Sequence, residues 1–144
     1  MGFFGLGKKK NELRAAVAKM ENKDLMQAVV YGSIYVAAAD GELEEAELDK
    51  VEIILNNTPQ LQGYGAELSN LMDRAKTDFK AGMRILRQNA EQELTDLQHS
   101  PKEAATVLNI MLTIAEADGE IEEAEMKALE RSAKFLGLNL KDYL

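Results

Sequence analysis

The sequence predicts an all-α protein: a single-domain helical bundle of about six to eight helices, built from two pseudo-symmetric helix–loop–helix halves. Three observations predict it. Proline occurs only at Pro59 and Pro101 and β-branched runs are short, while Ala, Leu, Glu, Lys, Met and Gln, all good helix formers, dominate. Apolar residues recur at spacings of three and four along most of the chain. One twelve-residue motif occurs twice, each time between an apolar stretch and an amphipathic one. At 144 residues and 46% apolar content the chain suffices for one core.

Residues Met1 to Lys10 read as a flexible, Gly-rich tail, with the domain proper spanning 11–144. The tail is not a secretory signal, because its three lysines follow its apolar residues and no cleavage pattern succeeds them. Phe3, Phe4 and Leu6 beside those lysines give at most a weak, peripheral contact with an anionic membrane. The first helix is expected over Asn11 to Glu21 and the second over Lys23 to Ala39. The second contains the longest uncharged run, Leu25 to Ala39. Its 15 residues fall short of the ~18–20 needed to span a bilayer, so it reads as a buried core helix and no transmembrane segment is expected. A third helix runs from about Glu44 to Leu55, and Asn56-Asn57-Thr58-Pro59 breaks it.

Next, Leu68, Met72, Ala75, Phe79, Met83, Leu86, Ala90, Leu94 and Leu97 form an apolar stripe at helical spacing. It fits one bent helix or two. Ser100-Pro101-Lys102-Glu103 predicts a helix start, with Ser100 as cap, Pro101 in the first position and Glu103 completing a capping box. That helix runs to about Ala117. Another spans about Glu122 to Leu136, with Gly137 placed to end it, and a last turn holds Leu140, Tyr143 and Leu144.

The repeat pairs residues 37–48, Ala-Ala-Ala-Asp-Gly-Glu-Leu-Glu-Glu-Ala-Glu-Leu, with 115–126, Ala-Glu-Ala-Asp-Gly-Glu-Ile-Glu-Glu-Ala-Glu-Met. Asp-Gly is turn chemistry, because Gly41 and Gly119 reach a positive φ without a Cβ clash. Leu43 and Ile121 are expected to pin each loop to the core. The acids that follow lie where a helix start favours negative charge. Two copies indicate a duplication; a solenoid needs about three.

The net charge of −8 is concentrated there. Asp40 to Glu52 and Glu116 to Glu130 each carry seven acids and one base, so these windows hold 14 of the 25 acidic residues and the rest of the chain is slightly positive. Such dense like charge calls for compensation. Solvent and salt supply it at a surface, and a hard divalent cation supplies it through carboxylate and carbonyl oxygens. The second half of each loop has the glycine and closing acid of an EF-hand. The first half does not, since Val36 or Ile114 would stand at the opening ligand position, so an EF-hand is rejected. The candidate metal site is instead Asp40, Glu42, Glu44 and Glu47 with Asp118, Glu120, Glu122 and Glu125. It forms one joint site or two, for calcium, magnesium or manganese. The alternative is a metal-independent interaction module whose acidic loops contact a basic partner.

Other chemistries find little support. The chain has no cysteine and one histidine, His99, which removes thiol chemistry, thiolate zinc sites and multi-histidine metal sites. No phosphate-binding glycine loop is present and no nucleophile–base constellation can be assembled, so no enzyme is expected. The acidic balance opposes nucleic-acid binding. Lys76, Lys80, Arg84 and Arg87 step by four, four and three, so they are expected on one helix face as a basic stripe.

The two Ala-x-Ala-Asp-Gly-Glu-apolar-Glu-Glu loops that follow apolar helices make the chain resemble the TerB tellurite-resistance family. Met1-Gly2-Phe3-Phe4, Asn22-Lys23-Asp24-Leu25-Met26-Gln27 and Phe135-Leu136-Gly137-Leu138 are similar as well, so the resemblance covers nearly the whole chain. It implies an all-α, cytoplasmic protein of the tellurium-stress response. Its implied partners are other tellurite-resistance proteins, including a membrane protein of the TerC type, at the inner face of the membrane. Carried over, the family's acidic loop positions are Asp40, Glu44, Glu47, Asp118, Glu122 and Glu125. Glu42 and Glu120 are acids beyond that pattern.

Overall fold

A computed structural model describes residues 23–117 and 119–144. The expected tail, Met1 to Lys10, and the expected helix Asn11 to Glu21 lie outside the described residues. Those described are all-helical: six α-helices, two short 3₁₀ turns and no strand. We label the helices α1 (23–37), α2 (Glu45–Asn56), α3 (Gly65–Ala81), α4 (Met83–Thr95), α5 (Pro101–Glu116) and α6 (Glu123–Phe135). The 3₁₀ turns are Pro59–Leu61 and Leu140–Asp142.

From Leu25 onward helix α1 is made of the uncharged run, and it is buried on nearly every side. Leu25, Met26, Val29, Val30, Ile34 and Val36 are all nearly or fully inaccessible to solvent, as a helix apolar all round must be. Helix α5 buries Val107, Leu108, Met111 and Leu112 but turns Asn109 and Thr113 outward. The two approach closely at Gly32, where a Cβ would lie 2.8 Å from Met111 Sδ. The remaining helices pack around them, α3 on α4, α4 on α6, α6 on α5 and α5 on α2. Each fully buried leucine in this core contributes ~1.5–3 kcal/mol relative to leaving it in water.

The duplication extends into the packing. Helices α2 and α6 begin at equivalent positions of the repeat, Glu45 and Glu123. Leu43 and Ile121 are partly buried against the core, as expected, and so are Leu48 and Met126. Val51 and Leu129, four residues after Glu47 and Glu125, are fully buried. Equal sequence periods therefore put equal faces inward in both halves.

Polar ties join helices from different parts of the chain. The Tyr31 hydroxyl on α1 donates to Asp78 Oδ2 on α3 at 2.7 Å, and Asn89 Nδ2 on α4 donates to the same oxygen at 2.9 Å. Arg131 on α6 donates through Nε and Nη2, at 3.0 and 2.6 Å, to Glu91 Oε1 on α4. A charge-assisted bond held by a half-buried partner is worth more than an exposed pair.

Of the two possibilities left for the long amphipathic stretch the structure shows two helices, because Gly82 (φ 157°, ψ 143°) takes a backbone conformation that L-residues rarely adopt and interrupts the helical run. Two expectations are corrected. The break at Gly82 divides the basic stripe: Lys76 and Lys80 belong to α3, Arg84 and Arg87 to α4. Helix α5 does begin at Pro101, but the Ser100 side chain makes no capping hydrogen bond; its carbonyl instead accepts from Ala104 N–H at 2.8 Å. Gly137 ends α6 as expected. Its φ is +74°, Leu138 N–H donates to the Ala133 carbonyl and Gly137 N–H to that of Lys134, which is a Schellman closure.

Candidate functional site

Each acidic loop leaves a buried helix through the same turn. Gly41 N–H donates to the Ala38 carbonyl and Gly119 N–H to the Glu116 carbonyl, both at 2.9 Å. Both glycines have positive φ, +89° and +108°, and nothing lies within 4 Å of a Cβ built on either. The motif therefore keeps glycine for its backbone freedom and not for space.

After the turn both copies enter the next helix through the same backbone bond, Leu48 N–H to the Glu44 carbonyl and Met126 N–H to the Glu122 carbonyl. In the first, Glu42 N–H donates to Asp40 Oδ1 at 3.0 Å, an Asx-type turn that holds the aspartate against its own loop. Glu44 is the extended residue preceding α2. In the second, Glu122 N–H donates to Glu125 Oε1 at 2.9 Å, the reach-back half of a capping box. Glu125 is thereby drawn over the start of α6.

The loops face one another across a single cleft of about 410 Å³. The first copy lines it with Asp40, Glu47 and Lys50, and the second with Gly119, Glu120, Glu122 and Glu125; Ala37 and Ile114 form apolar wall at the ends of α1 and α5. Five of the eight sequence-derived candidates are thus brought together. Glu42 and Glu44 are exposed and do not line the cleft. Asp118 lies outside the described residues. Lys50 went unremarked as a site residue, although it stands three positions after Glu47 and so shares its helix face. Glu47, Lys50 and Glu125 all take part in polar or electrostatic interactions.

The carboxylates line the cleft without converging. Among the described residues no three acidic or histidine side chains are close enough to hold a metal ion as they stand. The donors are all hard oxygens, the set that suits calcium, magnesium or manganese and not a soft metal. Not every acid of the repeat belongs here. Glu45, Asp49 and Glu52 occupy another face of α2, over a smaller cleft shared with Asp73 and Lys76 of α3, where Lys76 Nζ stands 3.8 Å from Asp73 Oδ1.

Outside the loops, burial and hydrogen bonding move several groups from their ordinary values. Burial, reinforced by the hydrogen bond to Asp78, pushes the Tyr31 phenol up to about 12. Burial also raises Tyr35, and it raises the half-buried Glu93, where Asp96 and Asp24 add like charge. The bond to Glu91 raises Arg131 further. His99, in the turn before α5, is exposed. No helix among the described residues is long and apolar enough to cross a membrane.

Compared with known families, residues 26–144 match the family described as tellurite resistance protein TerB. No curated protein and no solved structure matches the chain.

Proposed function

The chain belongs to the TerB family of tellurite resistance proteins, and from that membership and its acidic cleft we propose that it serves tellurium-stress resistance as a non-enzymatic, divalent-cation-responsive adaptor in the cytoplasm. The observation that carries this reading is the sharing of one cleft by both copies of the repeat. Asp40 and Glu47 from one side, with Glu120, Glu122 and Glu125 from the other, supply oxygen ligands to a single joint site. A bound cation neutralises carboxylates that otherwise repel, draws the two loops together and orders the surface they present. That surface docks on a membrane partner of the TerC type.

The chemistry of tellurium supports an indirect role. Tellurite is an oxyanion and an acidic cleft repels it. The chain has no cysteine with which to reduce or ligate tellurium. Resistance then comes through partners and not through capture of tellurite by this protein.

The test is a titration of chelator-treated protein with calcium, magnesium and manganese, with calcium and magnesium followed by backbone NMR. The Gly41 and Gly119 amides should shift together at millimolar cation or below, and their immobility would sink the metal reading. A second reading, metal-independent docking of a basic partner, is favoured by one observation: a basic residue, Lys50, already lines the cleft beside the carboxylates. Capture of the TerC-type protein in the presence of chelator separates the two. Capture that survives Asp40→Asn with Asp118→Asn would show that the acidic surface is not the docking face.

A further inference from the structure

We infer that the corner between α3 and α4 is a docking surface for an anionic phospholipid membrane, with Lys80, Arg84 and Arg87 on the headgroups and Ile85 entering the apolar layer between them. The inference stands apart from the cation reading, since none of these residues lines the acidic cleft. Its first observation is local charge. From Arg74 to Ala90 the sequence carries five bases and one acid, Asp78, in a chain whose net charge is −8. Asp78 is engaged inside the bundle, where its Oδ2 accepts from Tyr31 and Asn89. The next acid, Glu91, is held by Arg131, and Lys76 is drawn to Asp73. Lys80 and Arg84 are exposed and Arg87 is half-buried, and none of the three forms an ion pair among the described residues.

The break at Gly82 divides the basic stripe between two helices, yet it also gathers these bases at one corner. Lys80 stands two residues before Gly82 and Arg84 two after it, and Arg87 lies one turn on from Arg84. Arg84 does not serve its helix. It occupies the first turn of α4, which holds no acid, where a positive side chain opposes the helix dipole. The second observation is apolar. Ile85 is 43% exposed, and among the described residues only Ile53 and Leu144 are large hydrophobic side chains left equally open. Ile53 lines a groove with no charged residue, and Leu144 is the last residue of the chain. Ile85 alone is set beside unpaired bases. A lone exposed isoleucine is ordinary, but this combination matches an anionic bilayer. Long Lys and Arg stems let the charges rest at the phosphates while the side chain between them enters the acyl boundary. Single-stranded nucleic acid fits less well, because no aromatic residue occurs from Lys80 to Arg87 for a base to stack on. Each base near an anionic leaflet adds roughly fivefold to affinity, so the three together supply about a hundredfold, in a reversible and salt-sensitive attachment.

The experiment sediments the full chain, in chelator, with vesicles of phosphatidylcholine alone or mixed with phosphatidylglycerol. Wild type should bind the mixed vesicles and not the neutral ones, and more weakly as salt rises. Lys80→Gln with Arg84→Gln and Arg87→Gln should cost about a hundredfold, whereas Arg84→Lys with Arg87→Lys should keep the binding. Lys102→Gln with Lys134→Gln and Lys141→Gln makes the same change of charge at exposed sites elsewhere and should cost much less. Because the chain has no cysteine, Ile85→Cys and Ile53→Cys can each carry one polarity-sensitive fluorophore. The label replacing Ile85 should shift to the blue on mixed vesicles, and the label replacing Ile53 should not. Equal binding to both kinds of vesicle, equal losses in the two triple variants, or no blue shift from the label replacing Ile85 overturns the inference. Binding of polyuridylate or polyglutamate through the same three bases, without binding to vesicles, overturns it in favour of a nucleic acid or an acidic protein. The cation reading is untouched by any of these results, since chelator is present throughout.

Discussion

Three glycines with empty space around them should answer alanine with opposite signs. A Cβ on Gly41, Gly119 or Gly65 meets nothing within 4 Å, so no clash enters the comparison. Gly41 and Gly119 hold φ at +89° and +108° in the two acidic loops, whereas Gly65 is the first residue of α3 and has no positive φ. An L-residue in left-handed backbone costs ~1–2 kcal/mol. Gly119 lies further from the left-handed minimum near +57°, so Gly119→Ala should fall at the upper end. Gly65→Ala should instead stabilise by ~0.4–1 kcal/mol, since it removes freedom from the unfolded chain at a compatible site. In a domain of this size 1 kcal/mol moves the melting temperature by ~3–4 °C. Gly41→Ala should then melt ~3–8 °C lower and Gly119→Ala toward the larger value, with Gly65→Ala a degree or more higher. Urea denaturation of the three variants measures the same differences at constant temperature. Stabilisation of Gly41→Ala or Gly119→Ala to the extent seen with Gly65→Ala would refute the reasoning, since the loops would then not be held at positive φ.

Two further outcomes concern the polar ties. Tyr31→Phe removes a charge-assisted bond of the kind worth ~1.5–3 kcal/mol, and urea melts at neutral pH should show a loss of that order. The folded phenol is pushed up to about 12 from an ordinary 10; its contribution is therefore complete below pH 10 and lost as pH rises through about 12, so the gap to Tyr31→Phe should close across that window. A gap unchanged up to pH 12 would contradict the tie. Glu93 is raised above the ordinary carboxylate value by burial and by Asp96 and Asp24. The folded state therefore holds its proton more tightly, and stability falls as pH rises from the unfolded value through the raised one. Glu93→Gln should melt higher than wild type at pH 7 and lose that advantage as pH drops below the carboxylate range; an unchanged difference between pH 3 and pH 7 would count against it.

Most of the architecture was legible because it depends on local periods and local chemistry. An uncharged run of 15 residues has no polar face to offer water, so α1 had to be interior. Gly137 had to end α6 because its position requires positive φ. The repeat announced two equivalent loops through composition alone. Where the sequence left the middle stretch open between one helix and two, the answer came from Gly82. A glycine within a helical pattern is tolerated or breaks it according to what the flanking helices pack against, and here α3 turns back to lie along α4. Ser100 shows the converse: its type permits a cap, but the side chain makes no such bond in this packing.

The sequence by itself determined the kind of chemistry available at the loops: hard oxygen donors, duplicated, with positive-φ turns and no thiol or paired histidine. Tertiary structure decided which of those donors share a space. Spacing along one chain places Glu47 and Lys50 on one face of α2, and Glu45, Asp49 and Glu52 on another, but says nothing of what each face meets. The close packing of α1 and α5 at Gly32 and Met111, with both helices ending in the same turn, sets the two loops opposite each other across one cleft. A charge can be counted from composition, but its partners lie far away in the chain and close in space, and only the packed core sets that distance.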